Sequence, residues 1–485
     1  MKKKIWRPLG LLLLIGMILT MNLPILASEN PYSLTIHSNA PEDIEFTIWQ
    51  VDTSNRYIPA TTSDARKHLL TNSVRTETTN NSGEIVFSSL PAGIYYVEES
   101  GSAVLKDNIP CEAFLVSVPM EEPDGNGEIN NVHVYPKSQS LLIDKFVGEA
   151  GGADYDFSDW EASKYLSVAV GASFGWSILS SIPFDIGSRS GEEYSVTDVL
   201  NRNFKYVHGS VKIYAVSATD TLCRNGTPLA ENSDYILSFD DDTNTLKVIL
   251  TASGMTLLRG YYEDVSVGVR FLLIKFDCQL KDNAPQGVQI SNGAMVKYIK
   301  SRNTAVSTVT MGNSISAISE VAEEPAVHTG QIGITKVDAG NKGKTIAGAE
   351  FGVAHSKEAA LNGNFIATGT TNEVGNLVFK GLSYGKAGDK PLENTGDTTY
   401  WLVETKSPEG YTKLEEPIEV VFNYQQDKAT GEYYFAKVMV YNKQTVTSKT
   451  ARTGDVNPLQ VTIVLLIVSL ITAISIIRRK IKKSV

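Results

Sequence analysis

Two stretches of this chain, far apart in sequence, repeat one another. Thr78-Thr79-Asn80-Asn81-Ser82-Gly83-Glu84-Ile85-Val86-Phe87-Ser88-Ser89-Leu90-Pro91-Ala92-Gly93 aligns without a gap on Thr370-Thr371-Asn372-Glu373-Val374-Gly375-Asn376-Leu377-Val378-Phe379-Lys380-Gly381-Leu382-Ser383-Tyr384-Gly385. Each reads as a Gly turn, a short alternating strand and a second Gly turn. A Tyr-x-apolar-x-Glu strand follows in both: Tyr95-Tyr96-Val97-Glu98-Glu99 and, after a longer loop, Tyr400-Trp401-Leu402-Val403-Glu404. Alternation at period two gives each strand one face for a core and one for solvent. Short strands at this turn spacing build a β-sandwich, and the self-similarity makes the two regions copies of one unit.

The region between the copies has the same character. Tyr165 to Ile182, Phe204 to Val216, Thr245 to Thr251 and Val265 to Leu273 read as strands, with Val196 to Leu200 and Asn292 to Tyr298 as shorter pieces of the same period. No long helical period survives outside the two termini. A chain of 485 residues is too long for one core. The expectation is therefore an all-β protein of tandem immunoglobulin-like sandwiches, with domains at 28–138, 139–318 and 330–446. Glu320, Glu323, Glu324 and Pro325 mark 319–329 as a linker.

The termini direct export. Lys2, Lys3 and Lys4, the apolar run Leu9 to Leu19 and Ile25-Leu26-Ala27 have the order of a secretory signal peptide, so 1–27 is expected to be removed. At the other end, within 447–485, Pro458 precedes an apolar run from Leu459 to Ile477, about long enough to cross a bilayer. Arg478, Arg479, Lys480, Lys482 and Lys483 follow. Positive residues stay on the cytoplasmic side, which leaves the body of the chain outside.

A net charge of -10 argues against a nucleic-acid partner. Cys111, Cys223 and Cys278 are widely spread, without a disulfide framework or zinc spacing, and the six His residues form no ligand cluster. No metal or cofactor is expected. Neither a Gly-x-Ser-x-Gly elbow nor a Cys-His pair with a local signature is present, so an enzyme is not expected either.

Polar residues at core positions carry the remaining signal. Alternation in the third domain puts Ile332, Ile334 and Lys336 on one face and Tyr400, Leu402 and Glu404 on another, while the closing strand Val438 to Lys443 can turn Asn442 to the same interior. A buried lysine is costly unless it is paired or used. The three could form an ion pair with amide company, or they could react.

Tyr400-x-Leu402-x-Glu404-Thr405-x-Ser407-Pro408-x-Gly410-Tyr411 resembles the acid-bearing strand of the collagen-adhesin B-type domain of Gram-positive pilins, with Ser407 where Ala is usual. That resemblance implies that the Lys336 amine attacks the Asn442 amide and expels ammonia, Glu404 assisting, to leave an isopeptide bond. In the middle domain Leu142-Ile143-Asp144-Lys145-Phe146-Val147 resembles the start of the fimbrial isopeptide-forming domain of major pilins. There it implies Lys145 as nucleophile, Asp198 as acid and Asn292 as acceptor. Asn303 lies close enough in sequence to compete, and Gly171 to Trp176 departs from the family's Gly-Asp.

The first domain has lost both reactants: Ser38 stands at the place of Lys336, and Pro136 at that of Asn442. Instead, Val132-His133-Val134-Tyr135-Pro136-Lys137 resembles the pilin motif of sortase-assembled backbone pilins, with Ser138 for the usual Asn and Glu128 at the spacing of an upstream Trp. The resemblance implies that Lys137 is joined to the C-terminal Thr of the next subunit. Thr450-Ala451-Arg452-Thr453-Gly454-Asp455 is similar to a cell-wall sorting signal, with Thr450-Ala451 in place of Leu-Pro. By that likeness a sortase cuts between Thr453 and Gly454; the alternative is a plain membrane anchor.

The resemblance covers essentially the whole mature chain. It implies a structural shaft subunit of a covalently polymerised pilus, exported and anchored to a Gram-positive cell wall. The implied partners are a pilin-specific sortase, a housekeeping sortase, copies of the chain itself, accessory pilins, peptidoglycan and a host surface ligand. The alternative is a wall-anchored monomeric or tip adhesin, which needs the tail but no acceptor lysine.

Overall fold

The computed structural model describes residues 31–38, 44–100, 104–151, 164–217, 226–301, 314–393, 395–426, 428–431, 433–434, 436–445 and 458–481. Among these the fold is built of strands, as the alternating sequence requires. It divides into two compact units: the described residues of 1–333, 378–399 and 421–437 form the first, and those of 334–377, 400–420 and 438–485 the second.

In the N-terminal part of the first unit, strand Tyr32–His37 pairs antiparallel with Glu84–Leu90 and parallel with Asn131–Val134. A four-stranded sheet of Arg75–Thr78, Glu45–Gln50, Gly93–Ser100 and Phe114–Val118 accompanies it. Leu34, Ile36, Phe46, Ile48, Phe87, Tyr95 and Val97 form the core between them. Gly330–Asp338, Asn376–Leu382 and Ala436–Asn442 make a three-stranded sheet of the same order, and Ala367–Thr370, Glu350–Ala354, Thr399–Lys406 and Ile418–Val421 the matching four-stranded one.

The repeat is preserved at the level of single hydrogen bonds. Ser38 N donates to Gly83 O at 2.8 Å, and Lys336 N to Gly375 O at 2.7 Å. Thr79 Oγ1 accepts from Ile44 N at 2.9 Å, and Thr371 Oγ1 from Ala349 N at 2.9 Å. Asn80 and Asn372 each hold their turn through the side chain, which takes the N–H of Ser82 and Glu84 in one case and of Val374 and Asn376 in the other. These Asx turns place Gly83 and Gly375 at φ +72° and +74°, a region that glycine enters without strain.

The middle of the chain forms the largest core. One sheet runs Ile143–Glu149, Ser173–Ser181, Val269–Leu280, Lys212–Ser217 and Thr227–Pro228, with Phe204–Tyr206 also pairing with Val269–Leu280. The other runs Tyr235–Asp240, Thr245–Leu250, Glu193–Val199, Met295–Ser301, Ser314–Glu320 and Val104–Lys106. Its last strand comes from the chain before residue 139 and pairs parallel with Ser314–Glu320. Ala326–His328, in the segment whose composition reads as a linker, is a buried strand between Tyr165–Ser167 and Ile290–Ser291.

Three local readings differ. Tyr165 to Ile182 is broken by a turn at Gly171 (φ +76°), and Phe204 to Val216 by one at Gly209 (φ +77°). Ala252–Glu263 is a helix capped by the Thr251 side chain, burying Met255 and Leu258. The C-terminal Pro458–Ile481 is also a helix. Among the described residues, however, no helix is long and apolar enough to cross a membrane, so the spanning role expected of this segment rests on its sequence. The signal peptide, Asn303, Cys223, Thr453 and Gly454 lie outside the described residues.

Two candidate cross-linking sites

In the second unit Lys336, Glu404 and Asn442 meet in the interior, each almost fully buried. Strand Gly330–Asp338 delivers the lysine, Thr399–Lys406 the acid and Ala436–Asn442 the amide. Lys336 Nζ donates to Asn442 Oδ1 and lies 3.2 Å from Glu404 Oε1. Asn442 Nδ2 donates to both carboxyl oxygens, at 2.8 and 2.9 Å. Leu414 N holds Glu404 Oε2 at 2.8 Å, and the Phe351 ring closes over the amine at 5.5 Å. Burial pulls the Lys336 pKa down from its ordinary value, against the pull of Glu404.

The second site, in the first unit, joins Lys145, Asp198 and Asn292, all buried. Lys145 lies on Ile143–Glu149, Asp198 on Glu193–Val199, and Asn292 just ahead of Met295–Ser301. Lys145 Nζ donates to Asp198 Oδ2 and, at 3.2 Å, to Gly293 O. Asn292 Nδ2 donates to Asp198 Oδ1 at 3.0 Å, while its Oδ1 accepts from Asn201 N at 3.1 Å. Trp176 and Phe276 face the amine at 4.6 and 5.6 Å. Burial lowers the Lys145 pKa and raises that of Asp198, each opposed by the other's charge.

At the Lys145 site these opposite shifts favour the neutral pair, amine plus carboxylic acid, over the ion pair. A neutral amine is nucleophilic, and a carboxyl group bonded to the amide nitrogen can protonate the leaving group. The possible reaction is amine plus primary amide giving secondary amide plus ammonia, with Glu404 or Asp198 returning to its starting state. Lys336 touches Asn442 directly, while Lys145 and Asn292 are both bonded to Asp198, so proximity in the folded chain replaces a bimolecular encounter.

The N-terminal sandwich keeps the acid without the reactants. Glu99 is buried and accepts from Cys111 N at 2.8 Å, as Glu404 accepts from Leu414 N. Cys111 and Cys278 are free and buried, and burial pushes both thiols up. Lys137 is exposed, two residues beyond Tyr135, whose ring stacks on His37 at 4.3 Å. It borders a cavity of about 600 Å3 that Phe114, Val134, Phe184 and Tyr262 also line.

Sequence reasoning missed the supporting residues. Asn201, which holds the Asn292 carbonyl, and the walls Trp176 and Phe276 carry no local signature. Phe351 was missed as well; it pairs with Glu404 as Phe46 pairs with Glu99, an equivalence that the strand register supplies.

Comparison with known proteins defines the class. Residues 42–139 match the Gram-positive pilin subunit D1, N-terminal domain family, and residues 330–435 match the SpaA prealbumin-like fold domain family. The chain thus carries the domains of Gram-positive pilin subunits, which are structural components of a cell-surface pilus and not enzymes. Among particular relatives, it is 26% identical over 440 residues to fimbrial subunit type 1 of Actinomyces viscosus, covering 80% of this chain and 76% of that one. Its fold is similar to the full-length major pilin SpaD of Corynebacterium diphtheriae, with TM-score 0.59, 21% identity, and coverage of 85% of this chain and 98% of that one. It is also similar to the T6 backbone pilin of serotype M6 Streptococcus pyogenes, with TM-score 0.53, 15% identity, and coverage of 85% and 98%.

Proposed function

We propose that this protein is the shaft subunit of a covalently polymerised pilus, stapled internally by Lys336–Asn442 and Lys145–Asn292 isopeptide bonds. Glu404 and Asp198 assist the two condensations. A pilin-specific sortase cleaves between Thr453 and Gly454 and joins Thr453 to Lys137 of the next copy. A housekeeping sortase then anchors the polymer to peptidoglycan, and accessory pilins decorate it. The segment Leu459 to Ile477 retains the precursor in the membrane until the cut.

The observation that carries this reading is the contrast among the lysines: Lys145 and Lys336 are 0% exposed beside an acid and an amide, whereas Lys137 is exposed. In this reading the first two react within the chain and the third is joined by an enzyme, which its exposure supports. Wall extracts boiled in detergent and blotted for the protein test it. A regular ladder of high-mass bands is the expected result; a single band indicates the wall-anchored adhesin instead.

A further inference from the structure

A third buried lysine is not a member of either trio. Lys164 is 2% exposed, and its Nζ reaches Asp144 Oδ1 at 2.5 Å, Lys145 O at 3.0 Å and Glu323 O at 3.2 Å, with the Phe146 ring 4.9 Å away. Among the described residues, strand Ile143–Glu149 is the edge of its sheet, with no strand paired on its other side. At Lys145 side chains fill that role: Asp144 Oδ1 takes the Lys145 N–H at 2.7 Å while Lys164 takes the carbonyl.

The same lysine ties this edge to the segment that holds the acceptor. Its Nζ binds Glu323 O, its own carbonyl accepts from Ala326 N at 2.8 Å, and between them Pro325 O accepts from Asn292 N at 3.0 Å. The backbones of nucleophile and acceptor are thus fixed to one short framework, with Lys164 as its junction. From this juxtaposition we infer that Lys164, with Asp144, is a positioning residue for the Lys145–Asn292 condensation. It contacts neither reacting atom. It sets the register at which the Lys145 side chain enters the core opposite Asp198 and Asn292, and small misplacements of reacting groups cost rate steeply.

The inference rests on the proposed middle bond and is tested with the full chain. Newly synthesised protein is sampled over time, digested, and the Lys145–Asn292 linked peptide quantified by mass spectrometry, with the Lys336–Asn442 peptide as internal reference. Lys164→Met is expected to slow the middle bond at least tenfold and leave the reference unchanged. Lys164→Arg, which keeps the charge and the donors, is expected to recover most of the rate, a rescue that loss of packing alone would not produce. Should Lys164→Met fail to fold, as judged by near-ultraviolet circular dichroism, the partly exposed Asp144→Asn supplies the test, with slowing again expected. Wild-type rate in a folded Lys164→Met or Asp144→Asn chain overturns the positioning role and leaves the bond intact. No middle bond in the wild type overturns the proposed cross-link, and this inference with it.

Discussion

At the scale of single residues, burial explains why the two sites would react. Lys336 has no exposed surface, and its charged form faces the Phe351 ring, with Glu404 and the Asn442 carbonyl oxygen to compensate. Desolvation favours the free amine, and condensation removes the charge permanently. Glu404→Ala is expected to leave Lys336 and Asn442 unlinked, so its mass should exceed that of the wild type by roughly 17 Da after correction for the substitution. The chain-entropy estimate for closing so long a loop is about 5 kcal/mol, so the same variant should also melt well below the wild type. An unchanged ammonia loss in Glu404→Ala would remove the acid from the reaction.

Stability against pH gives an independent check. In Asn442→Ala, Lys336 stays unreacted with its pKa held by burial below the ordinary 10.5. Between that lowered value and 10.5 the unfolded chain binds more protons than the folded one, so the variant's stability rises with pH across this window. A wild type cross-linked as proposed has no Lys336 amine to titrate there. The gap in melting temperature between the two should therefore narrow as pH is raised from about 7 to about 10, measured by thermal denaturation. A widening gap would mean that burial does not depress this amine.

At the scale of elements, what was legible followed the alternation. Ile332, Ile334 and Lys336 share a buried face, as do Tyr400, Leu402 and Glu404, because period two leaves little choice once a strand is paired. The repeat fixed which residues of the first sandwich replace the reactants, and the shared bonds to Gly83 and Gly375 place Ser38 and Lys336 equivalently. The helix Ala252–Glu263 was hidden because its pattern is weak: Gly254 and Gly260 dilute the helical propensity, and the buried set is only Gly254, Met255 and Leu258. Nor does alternation reveal Lys164, whose role depends on segments that meet only in the fold. Gly254 has a structural reason that sequence cannot supply, since a Cβ there would lie 1.9 Å from Asp234 O. Gly254→Ala must displace the helix or the loop before Tyr235–Asp240, at a cost of about 1–3 kcal/mol. Denaturant unfolding should show the loss; an unchanged midpoint would mean that the helix shifts freely.

At the scale of the whole molecule, the order of functional residues along the chain constrains how copies can join. Lys137 precedes both trios and Thr453 follows them. Joining Thr453 of one copy to Lys137 of another uses two different surfaces, so the contact is heterologous and can repeat without closing. The covalent path through such a polymer enters each copy at Lys137 and leaves at Thr453. It therefore traverses the segments that carry Lys145, Asn292, Lys336 and Asn442, and bypasses the residues before Lys137. On that path the proposed isopeptide ties between distant strands would carry tension that hydrogen-bonded ladders otherwise bear. Off it, Ser38 and Pro136 can replace the reactants without mechanical consequence, while Glu99 remains as a buried carboxyl on the Cys111 N–H. Lys137→Ala is accordingly expected to abolish the high-mass ladder in wall extracts and to leave export, wall attachment of the monomer and both internal bonds unchanged. Lys137 is exposed, so its truncation removes no core packing, and two ammonia losses in the intact mass report that both internal sites still form. A ladder that persists in Lys137→Ala would assign the intermolecular bond to another lysine and move the entry point of the load path.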